Sequence, residues 1–251
     1  MRPGEFLING ASSIDKYGTR LQTRFDLETP ARRSELVQAM GQDGYSIIDE
    51  EAYDDTKVTL VVVIEPLKDH DRSAMRNLLT VAFTGSGGYI PFVPYHDDSK
   101  TYFVRLDGDS KINFRNKYMY GDIMEATIPI TIKPWKELIG YPMVTNPGIM
   151  TNPSAYAAAP LIKLTMSGTT GSFTINGTVY NITNTSSADE VLYIDCQRFI
   201  AYNVTNDVVT ALRNNTLKFK DFPILVSGKN TLSKGSGVRS MEVLPRWRVL
   251  V

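Results

Sequence analysis

Short runs of alternating or β-branched apolar residues recur along the chain: "TKVTLVVVI", "TYFVRL", "EATIPITI", "APLIKLTM", "GSFTINGTVYNIT", "EVLYID", "FPILV" and "VRSMEVL". Turn-forming residues separate them, which is the rhythm of an all-β chain. One segment departs from it. In "LKDHDRSAMRNLLTVAF", Met75, Leu78, Leu79, Ala82 and Phe83 fall at helical spacing behind Asp71, a residue suited to cap a helix N-terminus. The pattern predicts a single amphipathic helix packed on a sheet. In "SGTTGSFTINGTVYNI", Asn176-Gly177 separates two alternating runs and predicts a type I′ hairpin, because both turn residues must take positive φ. "VSGKNTLSKGSG" reads as a turn, a short strand and a glycine-rich turn leading into the last strand.

Prolines, asparagines and small residues accumulate without apolar period in "GYPMVTNPGIMTNPSAYAAAP", Gly140 to Pro160, which reads as a linker. The expected domains are 1–140, holding the helix, and 141–251, all β and compatible with an antiparallel sandwich. The halves show no mutual repeat. At 251 residues the chain can bury a sizeable core.

The 27 basic and 27 acidic residues cancel, so no net field draws the chain to nucleic acid or to an anionic membrane. No run approaches the roughly 18 apolar residues of a membrane span, and no signal-like segment opens the sequence. The expectation is a soluble protein made in a cytoplasm. Cys196, the only cysteine, lies between apolar neighbours in "VLYIDCQRF" and reads as a small buried hydrophobe.

Candidate chemistry is sparse. The two histidines sit in Asp69-His70-Asp71 and His96-Asp97-Asp98, patterns that can hold a divalent metal. The first falls where a helix should start and the second reads as a polar turn, so a structural use is expected of both. Neither GxSxG nor a cysteine-plus-histidine signature occurs. Gly85-Ser86-Gly87-Gly88 follows the predicted helix instead of opening one, and reads as a helix stop. Glu50-Glu51 and Asp54-Asp55 read as solvated acids, not as a glycosidase pair. Asn176, Asn181, Asn184, Asn203 and Asn214 open glycan-acceptor triplets, which without a secretory signal are polar turn and strand residues. Arg246 and Arg248 flank Trp247 in "LPRWRVL"; on a strand, Trp247 would face the core and both arginines the other side, toward carboxylates or carbonyls. No enzyme, cofactor or metal site is expected.

Several stretches together resemble one family, the distal tail proteins of long-tailed, non-contractile phages of Gram-positive hosts. They are "GEFLINGASSIDKYGTRL", with Phe6-Leu7-Ile8-Asn9-Gly10, and the "GxDGY" segment at Gly41-Gln42-Asp43-Gly44-Tyr45. Lys133-Pro134-Trp135 follows, and then Asn152, Pro153, Tyr156, Pro160 and Ile162. Phe222, Pro223, Leu225, Gly228, Asn230 and Leu232 precede Pro245-Arg246-Trp247-Arg248 at the end. The resemblance implies a mainly β fold, with an N-terminal β-sandwich or split-barrel domain bearing one helix and a C-terminal galectin-like antiparallel β-sandwich.

It further implies a structural role at the phage tail tip or baseplate. Six copies would form a homohexameric hub ring, stacked between the major tail tube protein and the tail-associated protein. The outward second domains would carry baseplate or receptor-binding proteins, and DNA would cross the bore only in transit. Between Ala157 and Val251 there is no room for an arm-like insertion, which implies attachment through a separate baseplate protein. The alternative is a carbohydrate-binding module in the second domain, although that half contains no histidine. For the subunit interface the expectation falls on the loop-rich segment Thr29 to Gly44 and the residues Arg32, Arg33, Glu35, Gln42 and Asp43.

Overall fold

The computed structural model describes residues 1–251 apart from 39, 42, 69, 86, 109, 117–122, 184, 186–188 and 206–207. Asp69, Ser86 and Asn184 of the sequence reading, and Gln42 of the expected interface, therefore lie outside the described residues. The chain is mainly β and divides into two compact units, Met1–Lys136 with Leu250–Val251, and Glu137–Val249.

The first unit is built on an antiparallel sheet whose strands run in the order Ala11–Ser12, Phe6–Ile8, Ile90–Pro94, Lys100–Leu106, Met124–Ile132, Thr56–Ile64 and Thr19–Leu21. Met124–Ile132 pairs with Thr56–Ile64 over nine consecutive residue pairs, and alternate side chains of both strands are buried. Leu60, Val62, Ile64, Met124, Ala126, Ile128 and Ile130 thereby reach one core. The helix Arg72–Thr84 covers that core with Met75, Leu79 and Phe83, each worth about 1.5–3 kcal/mol of transfer free energy. Asp71 caps it, its Oδ1 accepting from the Ala74 N–H at 2.7 Å. Gly85 ends it, donating to Val81 O at 2.8 Å.

A second, five-residue helix, Ser13–Tyr17, escapes any periodicity argument because it barely exceeds one turn. Local chemistry makes it instead. The Ser12 side chain accepts from Asp15 N–H, and Gly18 closes the other end in the left-handed region at φ 54°.

The second unit is an antiparallel β-sandwich. One sheet runs Val144–Thr145, Val238–Leu244, Leu161–Met166, Val191–Asp195, Ile200–Thr205, Val208–Leu212. The other runs Ile149–Asn152, Gly228–Lys234, Gly171–Ile175, Thr178–Ile182. Ile162, Leu164, Met166, Leu192, Ile194, Met241 and Val243 of the first sheet share a core with Phe173, Ile175, Ile182 and Leu232 of the second. The Asn176-Gly177 hairpin forms as its dipeptide predicts, with φ 51° and 82° at the two turn residues. Cys196 is buried, and burial pushes its thiol pKa up, away from reactivity.

Three local readings change. The Gly140–Pro160 stretch is not a bare linker: Val144–Thr145 and Ile149–Asn152 are strands within it, each paired to a long strand of the sandwich. Both are too short to show a period. "FPILV" is not a strand, because Pro223 has no N–H to give and Leu225 makes only an isolated bridge with Ala158. Here the buried Asn230 side chain takes the place of a neighbouring strand, accepting from Val226 N at 2.8 Å and donating to Val226 O at 2.9 Å. Finally, Trp247 is buried as expected, but the segment around it is not continuous strand. Arg246 sits at φ 50° and the strand starts only at Arg248.

Candidate assembly surface

The segment expected to be loop-rich, Thr29 to Gly44, contains one strand of a β-hairpin and its turn. Arg32–Val37 pairs with Ser46–Tyr53, in the register Val37 with Ser46, Leu36 with Ile47, Glu35 with Ile48 and Ser34 with Asp49. A bulge then shifts the pairing so that Arg32 meets Tyr53. The connecting turn contains the GxDGY segment, with Gly41 and Gly44 both at φ 83°, a conformation that favours glycine. These two strands form a sheet of their own. Residues directly opposite share a face, so Leu36 and Ile47 lie on one side and Val37 and Ile48 near the other.

Both faces are open. All six residues of Arg32–Val37 are exposed, and Leu36, Met40, Tyr45, Ile47 and Ile48 are each more than half exposed. A lone two-stranded hairpin is marginal in water, since it has no third strand or helix to bury its apolar side chains. Apolar side chains left uncovered on a folded chain make a candidate assembly surface.

The charged residues have a different task. Arg32 Nε donates to Asp49 Oδ1 at 2.9 Å, and its guanidinium lies 5.8 Å from the centre of the Tyr53 ring. Arg33 Nε donates to Asp54 Oδ1 at 2.7 Å. The hydrogen bond from Arg32 holds the Asp49 carboxyl below its ordinary range. Tyr53 meets Trp135 edge to face at 5.4 Å, and Asp54 N–H donates to Ala31 O at 2.9 Å. The arginine and backbone contacts hold the two strands together at the base of the hairpin, and the contact between Tyr53 and Trp135 ties it to its own unit. Of the residues named from sequence, Arg32 and Arg33 thus point into intrachain pairs, while Glu35 and Asp43 are exposed on the strand and turn. The apolar set Leu36, Met40, Tyr45, Ile47 and Ile48 was not singled out. Leu36 and Met40 stand in "ELVQAM", inside the segment expected to be loop-rich, and Tyr45, Ile47 and Ile48 in "YSII", just beyond it.

The remaining candidates resolve into structure. His96 packs edge-on to Phe25 at 4.9 Å and to Tyr95 at 5.3 Å, and burial, reinforced by the charge of Arg24, lowers its pKa. Asp97 accepts from Tyr102 OH at 2.6 Å and from Lys136 Nζ at 3.3 Å, and also pairs with Lys100. Burial alone would raise its pKa; those donors and charges hold it below the ordinary range. His70 is exposed beside the helix cap. Among the described residues no group of three or more His, Cys, Asp or Glu side chains could hold a metal. No helix is long and apolar enough to cross a membrane among them.

In the second unit Arg246 donates to Asp195 Oδ1 at 2.7 Å, and Arg248 Nε donates to Ala157 O at 2.6 Å. These are the carboxylate and carbonyl partners expected from sequence. Asn203 donates to Glu190 at 2.7 Å and Asn214 accepts from Ala201 N–H at 2.6 Å, so both acceptor-type asparagines serve internal bonds.

The fold is that of a mainly β, two-unit protein with an exposed hairpin. No family model and no curated protein matches the chain. Among solved structures it is similar to the SPP1 Dit (gp 19.1) protein, described as a paradigm of the hub adsorption apparatus in Gram-positive-infecting phages. The likeness covers 95% of this chain and 96% of that one, with a TM-score of 0.56 and 14% sequence identity. At that identity it shows a shared fold, end to end.

Proposed function

We propose that the chain is a structural component of a phage tail tip or baseplate, a hub protein that assembles as a ring of six copies. The observation that carries this reading is the end-to-end likeness to the SPP1 Dit protein, which spans both units of the chain and not one common sandwich alone. In this reading the first unit forms the ring, between the tail tube protein and the tail-associated protein. The second, galectin-like unit carries baseplate or receptor-binding proteins. DNA passes through the bore at ejection, and the balance of 27 basic against 27 acidic residues suits a conduit that does not grip its cargo. The chain is made in the host cytoplasm and resides in the virion.

The hairpin Arg32–Tyr53 is the proposed contact between neighbouring copies. Covering its five open apolar side chains is worth about 5–10 kcal/mol. Fixing one subunit against another costs about 4–15 kcal/mol, so a single hairpin contact is marginal. Ring closure changes this, because each copy then gives its own hairpin and receives another, and the last contact forms within one assembly. Arg32 and Arg33 keep the hairpin shaped, with Glu35 and Asp43 at its rim.

Light scattering on the purified protein, with electron microscopy of the protein alone and beside its tail neighbours, tests the reading. A six-copy ring is expected, and Leu36→Asp with Ile47→Asp should release folded monomers. A strict monomer at high concentration that forms no ring even with tail neighbours would overturn it.

A further inference from the structure

The chain contains two Asn-Gly dipeptides, Asn9-Gly10 and Asn176-Gly177, each preceded by a buried isoleucine, Ile8 or Ile175. Each forms the two-residue turn of a hairpin, one between Phe6–Ile8 and Ala11–Ser12 and the other between Gly171–Ile175 and Thr178–Ile182. Their backbones match closely, with φ 51° and 76° at Asn9 and Gly10 and φ 51° and 82° at Asn176 and Gly177. All four residues are exposed. Local sequence, conformation and solvent access are therefore nearly the same at the two turns.

The side chains differ. The Asn176 carboxamide is held at both ends, its Nδ2 donating to Asn230 Oδ1 at 2.9 Å and its Oδ1 accepting from Thr231 N–H at 2.9 Å. Asn230 is itself buried and fixed by bonds to Val226 and Gly228. Among the described residues no hydrogen-bond partner holds the Asn9 carboxamide.

We infer that Asn9 is a site of spontaneous deamidation, and that the fold protects Asn176 from the same reaction. Hydroxide takes the Gly10 amide proton, and the nitrogen then attacks Asn9 Cγ, forming a C–N bond. Nδ2 leaves as ammonia. Water opens the resulting succinimide at one carbonyl or the other, leaving aspartate or isoaspartate. No side chain lies beyond the glycine Cα to obstruct the attack, which singles out Asn-Gly from the other asparagines. Reaction at Asn176 requires the carboxamide to break two hydrogen bonds before Cγ can turn toward Gly177 N, whereas Asn9 breaks none. The product places a carboxylate, or in isoaspartate an extra backbone methylene, at the turn that closes the first strand. There Asn9 N–H donates to Pro91 O at 3.0 Å.

The test is to hold the intact native chain at mildly alkaline pH and warm temperature and follow both turns by peptide mass mapping. The same time course is run on the chain unfolded in denaturant. The native protein should convert Asn9 about tenfold or more faster than Asn176, the factor set by two side-chain hydrogen bonds. In denaturant the two should convert at similar rates. The inference fails if native Asn176 keeps pace with Asn9 or leads it, if neither converts, or if the difference survives unfolding.

Discussion

Replacing Asp195 by alanine should destabilise the second unit more than any other single carboxylate change in it. Asp195 is 1% exposed and accepts four hydrogen bonds. Two come from the Gln197 and Arg198 amides at 3.1 and 3.2 Å and shape the turn after the strand. Two come from Arg246, at 2.7 and 3.4 Å. Truncation orphans two amides at about 1 kcal/mol each. It also leaves a guanidinium unpaired whose side chain is only 17% exposed. Breaking a fully buried pair costs about 3–5 kcal/mol, but Arg246 keeps some water and lies 3.4 Å from Gln197 Oε1, which removes much of that penalty. The sum is about 3–4 kcal/mol, or roughly 12–16 °C in melting temperature for a unit of this size. Asp195→Asn retains an acceptor for the turn amides and loses only the charge, so about half the effect is expected.

Urea unfolding reads this cleanly through tryptophan fluorescence. In a Trp135→Phe background the remaining tryptophan is Trp247, which sits in the second core. With two units present, the transition it reports is analysed alone, not as a global two-state event. An alanine variant within about 1 kcal/mol of the parent, or an asparagine variant as damaged as alanine, would refute the assignment of Asp195 as the anchor of Arg246 and its turn.

Three further outcomes are expected. Glu5 is held at about 2 from an ordinary 4.5 by hydrogen bonds from Arg2 and Ser12. Its contribution is therefore fully present above pH 4.5 and lost as pH falls toward 2. Because Arg2 is half exposed, solvent screens the pair and the amount is small; Arg2→Ala should flatten the acid limb of the first unit's stability profile, and an unchanged limb would exclude the linkage. Gly237→Ala should cost about 2–4 kcal/mol, because φ is 71° and a Cβ would overlap the Thr170 carbonyl oxygen; a melting temperature equal to the parent's would contradict that packing. Arg32→Ala should leave chemical stability nearly unchanged, as exposed ion pairs do, while making the hairpin more sensitive to limited proteolysis; unaltered cleavage would show that the Asp49 and Tyr53 contacts do not fasten it.

Much of the fold was legible because its signals are local or repeat within one element. Asp71 and the spacing of Met75, Leu79 and Phe83 define a helix wherever they occur, and Asn176-Gly177 selects a type I′ turn from backbone sterics alone. What escaped depends on partners distant in sequence. Val144–Thr145 is a strand only because Val243 and Glu242 lie beside it, nearly a hundred positions later. "FPILV" has strand composition, yet Asn230 satisfies the backbone that a strand would have shared. Trp247 was placed in the core by reading "LPRWRVL" as a strand, but Arg246 takes a left-handed turn and bonds Asp195, a partner that stretch does not contain.

The hairpin shows a different limit. Period-2 alternation reveals a strand when one face is dry and the other wet, and Arg32–Tyr53 has both faces in water. Its apolar residues are divided between the faces, as the pairings Leu36 with Ile47 and Glu35 with Ile48 require, so no one-sided stripe appears in the sequence. Its most conspicuous residues are Arg32 and Arg33, and charge drew attention to the end of the hairpin that is already satisfied within the chain. A strand with both faces uncovered carries no amphipathic signature of its own fold. The information lies in what remains uncovered once the chain has folded, and that set, Leu36, Met40, Tyr45, Ile47 and Ile48, becomes visible only when burial is known for the rest.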